Sequence, residues 1–159
     1  MMSLNWSDVG SIATAVAVFV AAWQVRRGAT QVRTEFEDDL SREYRELSRG
    51  LPVKAVLGDR LEPDEMELAF PRLIQYIDLC NEQVFLRVQG RVSKATWLQW
   101  RDGIRANLAR PGFAEAWRRV KAHPASNFQE LRRLESEDFQ TDPQSWRPPW
   151  RRLGRWLWA

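Results

Sequence analysis

Two carboxylates four residues apart, Asp78 and Glu82, are the first side chains whose spacing could do chemistry. On a helix they share a face one turn apart, where one acid could donate a proton and the other accept it. The same spacing serves a solvated face whose acids pair with arginines, and Arg101 and Arg105 are the expected partners. His123 is the only histidine and lies in the turn Lys121-Ala122-His123-Pro124. With no second histidine or a cysteine beside it, a metal would have to be held by carboxylates alone, so His123 reads as a solvent-facing loop residue. Cys80 is the only cysteine, which excludes an internal disulfide framework and suits a reducing compartment. Its apolar neighbours make it an inert core thiol. Nucleophile-elbow, phosphate-loop and dinucleotide-binding glycine patterns are all missing. The expectation is a protein that is not an enzyme, with no catalytic residue, no metal ligand and no cofactor.

Aromatic and basic residues offer binding instead of catalysis. Trp97, Trp100 and Trp117 fall at helical spacing in amphipathic segments, which points to core packing. The alternative is an aromatic pocket in which Trp97 and Trp117, with Arg101 and Arg105 and helped by Arg118 or Arg119, read a phosphate or a base. Asn81 lies within an apolar stripe, and a buried amide there must be hydrogen-bonded, so it is expected to tie helices together.

The tail WRPPWRRLGRWLWA is the most biased segment. Residues 146–158 hold four tryptophans and four arginines and no acid. If the end is helical, Trp150, Leu153 and Leu157 share one side and Arg151 and Arg155 the other. That division suits the membrane interface, with arginine at anionic headgroups and tryptophan at the acyl boundary. Stacking on single-stranded nucleic acid uses the same residue types but is the least favoured use of them, and an extension without a function is the third alternative.

Formal net charge is +3, but its distribution matters more. Apart from Asp8 and the four arginines of the tail, the 26–143 stretch carries equal numbers of acids and bases. The basic character therefore belongs to the tail. Between Asp8 and Arg26 runs VGSIATAVAVFVAAWQV, residues 9–25, with no charge and no proline. At about 1.5 Å per residue it is slightly short of a ~30 Å hydrocarbon layer, but residues 4–7 can extend it. Trp6 and Trp23 sit where interfacial aromatics belong, and Ser7 or Asp8 can cap the outer end. A buried core helix is the competing assignment. A cleaved signal peptide would carry its positive charge before the apolar run, whereas Arg26, Arg27 and Arg33 follow it. The same asymmetry orients the segment with residues 1–8 outside and the rest in the cytoplasm, at the inner membrane. At about 100° per residue, Gly10, Thr14, Ala17, Ala21 and Gln24 fall on one arc, a small-residue face through which two such helices could pack.

Downstream, one domain is expected over residues 26–139, followed by the tail, 140–159. Val25, Ala29, Val32, Phe36, Leu40, Tyr44 and Leu47 recur at three and four, so the membrane helix continues into an amphipathic one that ends at Gly50 and Pro52. Asp38 and Arg42 are spaced as an ion pair on its solvated face. After a loop over 57–63, Asp64 and Glu67 form a capping box, and a helix interrupted or restarted at Pro71 runs to Val88, with Gly90 as its stop. Met66, Phe70, Leu73, Ile77, Cys80, Val84 and Val88 make its stripe, with Tyr76, Leu79 and Leu86 adding apolar surface. Ser93 caps a third helix carrying Trp97, Trp100, Ile104 and Leu108, and Phe113, Ala116, Trp117 and Val120 define a fourth. A short fifth begins at Asn127, where Asn127 and Glu130 form another capping box, with Phe128, Leu131 and Leu134 inward. No segment alternates as a half-buried strand does. The fold class is all-α, a single transmembrane helix continuing into a bundle of four to five helices.

The membrane segment, then AAWQVRRGATQVRTEF, FPRLIQYIDLCNEQVFLRVQGRVSKATWLQWRDGI and PGFAEAWRRV, resembles a family of small bacterial and phage proteins of unknown function. Those have one N-terminal membrane helix and a compact helical domain. The likeness spans roughly residues 9–135 in layout and scattered apolar positions, and the tail after Phe139 departs from it. It implies no activity, cofactor or site residue. The expected function is that of a membrane-anchored, non-enzymatic interaction module that forms homo-oligomers through its membrane helix and meets a protein partner. The alternative is a membrane effector or sensor, of the kind used in defence, whose helical domain binds a small phosphorylated ligand or a partner.

Overall fold

Glycine and proline set most of the element ends in the computed structural model, which describes residue 24 and residues 37–123 and 127–148. The first helix, α1, is described over residues 37–49 and turns off at Gly50, whose N–H donates to the Leu47 carbonyl. It buries Leu40, half-buries Leu47 and leaves Tyr44 at its edge. Arg42 pairs with Asp39 at 3.3 Å, one residue from the expected partner Asp38, because the i,i+3 spacing brings that carboxylate as close as i,i+4 does.

A short helix, α2 (Val53–Leu57), fills the stretch between the expected helix end at Gly50 and Pro52 and the expected loop over 57–63, where no element was expected. Its single buried residue is Ala55, so there is no stripe to detect. Gly58 ends it at φ 93°, a left-handed conformation that glycine adopts without strain. The long helix α3 (Pro63–Val88) starts two residues earlier than the expected Asp64–Glu67 box. Glu62 is the N-cap, and the Glu65 carboxylate accepts from the Glu62 N–H at 3.0 Å. Pro63 takes the first helical position, where a missing N–H costs nothing. The expected interruption at Pro71 does not occur, and α3 is continuous for 26 residues. Pro71 is exposed, so the bond it cannot make lies on the outer side. The stripe beneath it, Ala69, Leu73, Tyr76 and Ile77, is buried and outweighs a proline cost of about 3 kcal/mol. Gly90 stops the helix as expected, at φ 70°, with Gly90 N–H on the Arg87 carbonyl and Arg91 N–H on the Leu86 carbonyl.

Ser93 caps α4 (Lys94–Leu108) by accepting from the Thr96 N–H at 3.1 Å. Pro111 begins α5 (Pro111–Lys121), whose last carbonyls are met by Arg132. The last α-helix, α6 (Gln129–Ser136), lacks the expected Asn127–Glu130 box. Phe128 is its N-cap, held at φ 62° while its ring packs edge-on against Trp117. The capping acceptor comes from elsewhere in the fold: Asn81 Oδ1 on α3 accepts from the Leu131 N–H at 3.0 Å. Asn81 thus ties two helices, as its place in the stripe suggested.

Every regular element among the described residues is helical. α3 is the axis, with α4, α5 and α6 packed on it and a 3-10 turn, Pro143–Trp146, against its C-terminal end. Leu73, Tyr76, Ile77 and Val84 meet Trp97, Ile104, Phe113 and Leu131 in one core. Tyr76 lies edge-on to Phe113 at 5.0 Å, and its hydroxyl accepts from Asn107 Nδ2 at 2.6 Å. Cys80 is enclosed there, and burial pushes its thiol up to about 12, as an inert core cysteine requires. Among the described residues no helix is long and apolar enough to cross a membrane. The expected span over 9–25 lies outside them except for Gln24, a helical, exposed residue.

Candidate functional site

The polar side chains that organise this fold converge where α3 turns into α4, at one pole of the bundle. Glu37 on α1 reaches across to the start of α4. One carboxylate oxygen accepts from the Ser93 N–H at 2.6 Å, and the other accepts from the Thr96 hydroxyl at 2.5 Å. The Ser93 hydroxyl donates to Thr96 Oγ1 at 2.8 Å, so two hydroxyls and a carboxylate form a relay over the helix end. A negative charge there satisfies an orphan amide and complements the helix dipole. α1 is thereby clasped to α4.

A second clasp holds the chain after α6. Arg87, about 5% exposed, sends Nε and Nη2 to the two oxygens of Asp142 at 2.8 and 2.5 Å, a forked pair. Its remaining nitrogen donates to the Val92 carbonyl at 2.8 Å. Burial pushes the Asp142 carboxyl up, but the hydrogen bonds from Arg87 and from the Gln144 N–H outweigh it and hold the group below its usual range. Farther on, Trp146 donates to Glu137 at 3.0 Å beneath the Arg133 guanidinium, 4.4 Å from the ring. Arg147 donates to both the carbonyl and the side-chain oxygen of Gln89. The first part of the 140–159 segment, through Arg147, is therefore docked on the bundle.

Beside the first clasp lies a cleft of about 200 Å³ between α1, α3 and α4. Tyr44, Tyr76 and Trp100 provide rings, and Ser41, Gln83 and Gln99 provide uncharged polar groups. Burial pushes the Tyr76 phenol well above its ordinary value, which keeps it a neutral hydroxyl. A larger open groove of about 490 Å³ at the start of α5 carries Arg60, Glu115 and Arg118. There Arg118 and the neighbouring Arg119 hydrogen-bond the Glu115 carboxylate and hold it down to about 2, so Arg118 is already partnered.

The residues expected to form a pocket are not brought together. Trp97 and Trp117 are buried in the core, while Arg101 pairs with Asp102 and Arg105 lies 3.7 Å from Asp138. Neither arginine pairs with Asp78 or Glu82, both exposed on α3, because α4 turns these arginines toward its own Asp102 and toward the end of α6. His123 is exposed as expected, and among the described residues no cluster of acids, histidine and cysteine could hold a metal. The packing face of Gly10, Thr14, Ala17 and Ala21 lies outside the described residues, as does the interfacial set Trp150, Arg151, Leu153, Arg155 and Leu157. Sequence reasoning missed Glu37, Arg87 and Asp142, whose partners are more than fifty residues away. Gln83 had a signal: like Asn81, it is an amide inside the apolar stripe of α3. No family model, no curated protein and no solved structure matches the chain.

Proposed function

We propose that this chain is a single-pass, membrane-anchored, non-enzymatic interaction module that self-associates through its membrane helix and holds its helical domain at the cytoplasmic face. The observation that supports it is the common pole. α1 is clasped by Glu37 to the start of α4, and Arg147 is tied to Gln89 at the end of α3, so both outlying segments leave from the α3–α4 turn. If the helix continues back from Glu37 to Val25, the clasp stands about 18 Å from the membrane segment. The eleven residues after Pro148 can extend about 36 Å, enough to bring the tryptophans and arginines of the tail to the same bilayer surface. Had the tail left from the opposite end of the 26-residue α3, about 39 Å away, that reach would fail. Sensing of a phosphorylated ligand is the weaker reading, because Arg101 and Arg105 already face acids.

Cysteine labelling of the intact chain in spheroplasts tests the topology: position 3 should react from outside and position 157 only after lysis. Release of the whole chain by salt or carbonate without detergent would exclude the anchor. Crosslinking in membranes tests the assembly. Ala17→Ile should weaken it, because a branched side chain holds backbones apart, and Ala15→Ile, off the small-residue face, should not.

A further inference from the structure

We propose that the apolar face formed by α2 and the start of α3 is a contact between two copies of this chain, in which Leu68 of each copy seats in the groove between α2 and α3 of the other. This contact lies outside the membrane segment and does not rest on the packing proposed there.

Exposed apolar side chains stand here on firmly seated helices. Ala55 on α2 and Met66 and Ala69 on α3 are buried, so neither helix is loose. Yet Val53 and Leu57, one turn apart on α2, are each 72% exposed, and Leu68 on α3 is 84% exposed. Single apolar side chains in water are ordinary, but adjoining ones rimmed by charge mark a contact with another molecule. Val53 and Leu68 border the same open groove, of about 370 Å³, whose walls include Pro52, Leu61 and Ala69. An apolar cavity of ~150 Å³ admits a benzene ring, so this groove has room for a leucine side chain.

Self-complementarity identifies the occupant. In a two-fold contact the same patch serves both partners, so it must carry both halves of every interaction. This face does so twice. It holds a projecting leucine beside a groove that accommodates one. It also holds Lys54 and Glu65 together on the groove, each more than a third exposed, with Arg72 as a second cation. A two-fold rotation brings the lysine of one copy to the glutamate of the other, and each exchanges a partner within its chain for one across the contact. A face made for an acidic or a basic partner would present one sign only. Here the leucines exclude water at the centre, and the charges at the rim set the register.

The test uses the full chain in membranes, co-expressed as two differently tagged copies, with Val53→Cys in one and Leu68→Cys in the other. Cys80 is buried and stays out of the reaction. A short bismaleimide should join these two copies at least fivefold more than it joins Glu82→Cys to itself, an exposed site farther along α3. Adding Leu68→Asp to the Val53→Cys copy removes the second leucine from the contact and should lower the yield more than fivefold. That leucine lies on the outer face of α3, so the fold should be unchanged, as circular dichroism would show. Lys54→Glu in both copies, or Glu65→Lys in both, should lower the yield at least threefold. Lys54→Glu in one copy with Glu65→Lys in the other should restore it. Every chain in that mixed pairing has lost its internal ion pair, so recovery reports pairing across the contact alone.

A yield between positions 53 and 68 no higher than that of Glu82→Cys overturns the proposal. So does a yield that survives Leu68→Asp, or one that the mixed reversal does not restore. Crosslinks from Val53→Cys to an unrelated protein in place of a second copy would give the face to a different partner and overturn it too. A parallel experiment with Ala21→Cys reports the membrane-helix packing separately. Crosslinking there without crosslinking between 53 and 68 overturns this contact alone, and the reverse supports it while counting against the membrane packing.

Discussion

The two poles of the bundle are held by the same residue types in opposite settings. At the α3–α4 pole, Arg87 and Asp142 form a forked pair with the guanidinium almost wholly enclosed, and Glu37 caps a helix from another helix. At the opposite pole, Lys54 and Glu65 approach to 2.5 Å, but both side chains are open to water, Lys54 by more than half and Glu65 by about two-fifths. There Val53, Leu57 and Leu68 are exposed, Leu68 at 84%, and α2 is seated by Ala55 against Gly112. An ion pair closed off from solvent fixes geometry because neither partner can rehydrate without leaving its place; one in water exchanges its partner for solvent at little cost. The first pole is pinned by polar groups, and the second is shaped by close apposition of small residues.

Removing half of the enclosed pair should have the largest effect. Asp142→Ala is expected to destabilise the fold by about 2–3 kcal/mol, below the full value for a buried pair because the Asp142 carboxylate is about one-third exposed. Denaturant unfolding measures it. Replacing both partners, Arg87→Met with Asp142→Leu, should recover much of that loss. The pair also has a pH signature. Asp142 is held below its ordinary value, so its contribution is fully present above about pH 4 and is lost as pH falls through the depressed folded value. The melting-temperature gap between wild type and Asp142→Asn should therefore be constant from pH 5 to 7 and close in acid, and a gap constant to about pH 2 would contradict the account.

At the other pole the sensitive residue is Gly112. A Cβ there would lie 3.2 Å from the Ala55 Cβ, so Gly112→Val should cost about 2 kcal/mol by pushing α2 off α5. Hydrogen exchange should show the added opening in residues 53–57 and not in α4. The Glu37 clasp should come next, with Glu37→Ala costing about 1 kcal/mol. In a double-mutant cycle with Thr96→Val the two changes should be non-additive, since they remove one hydrogen bond between them. Smallest of all, Lys54→Ala should leave the melting temperature unchanged within error, for its ammonium and the Glu65 carboxylate both remain hydrated when parted. A clear loss there would erase the distinction between the poles.

The all-helical class, the stop at Gly90, the Ser93 cap and the inward faces of α3, α4 and α5 were all legible from residue types and periodicity. Each depends on interactions within about one helical turn, and those leave a local pattern. An interruption at Pro71 and a cap at Asn127 were expected where α3 runs on and Phe128 caps α6, and α2 was not foreseen. In those cases the outcome depended on what lay against the segment, which local patterns do not carry.

By itself the sequence determined where helices could run and which face of each had to leave water, because backbone sterics and the 3.6-residue period act locally. It also confined the basic surplus to the tail and left 9–25 uncharged. Tertiary structure alone decided which polar groups would meet. Glu37 finds Ser93 across 56 residues and Arg87 finds Asp142 across 55. The worth of a charge or an amide depends on its distance from water and from its complement, and neither distance exists until the chain has packed.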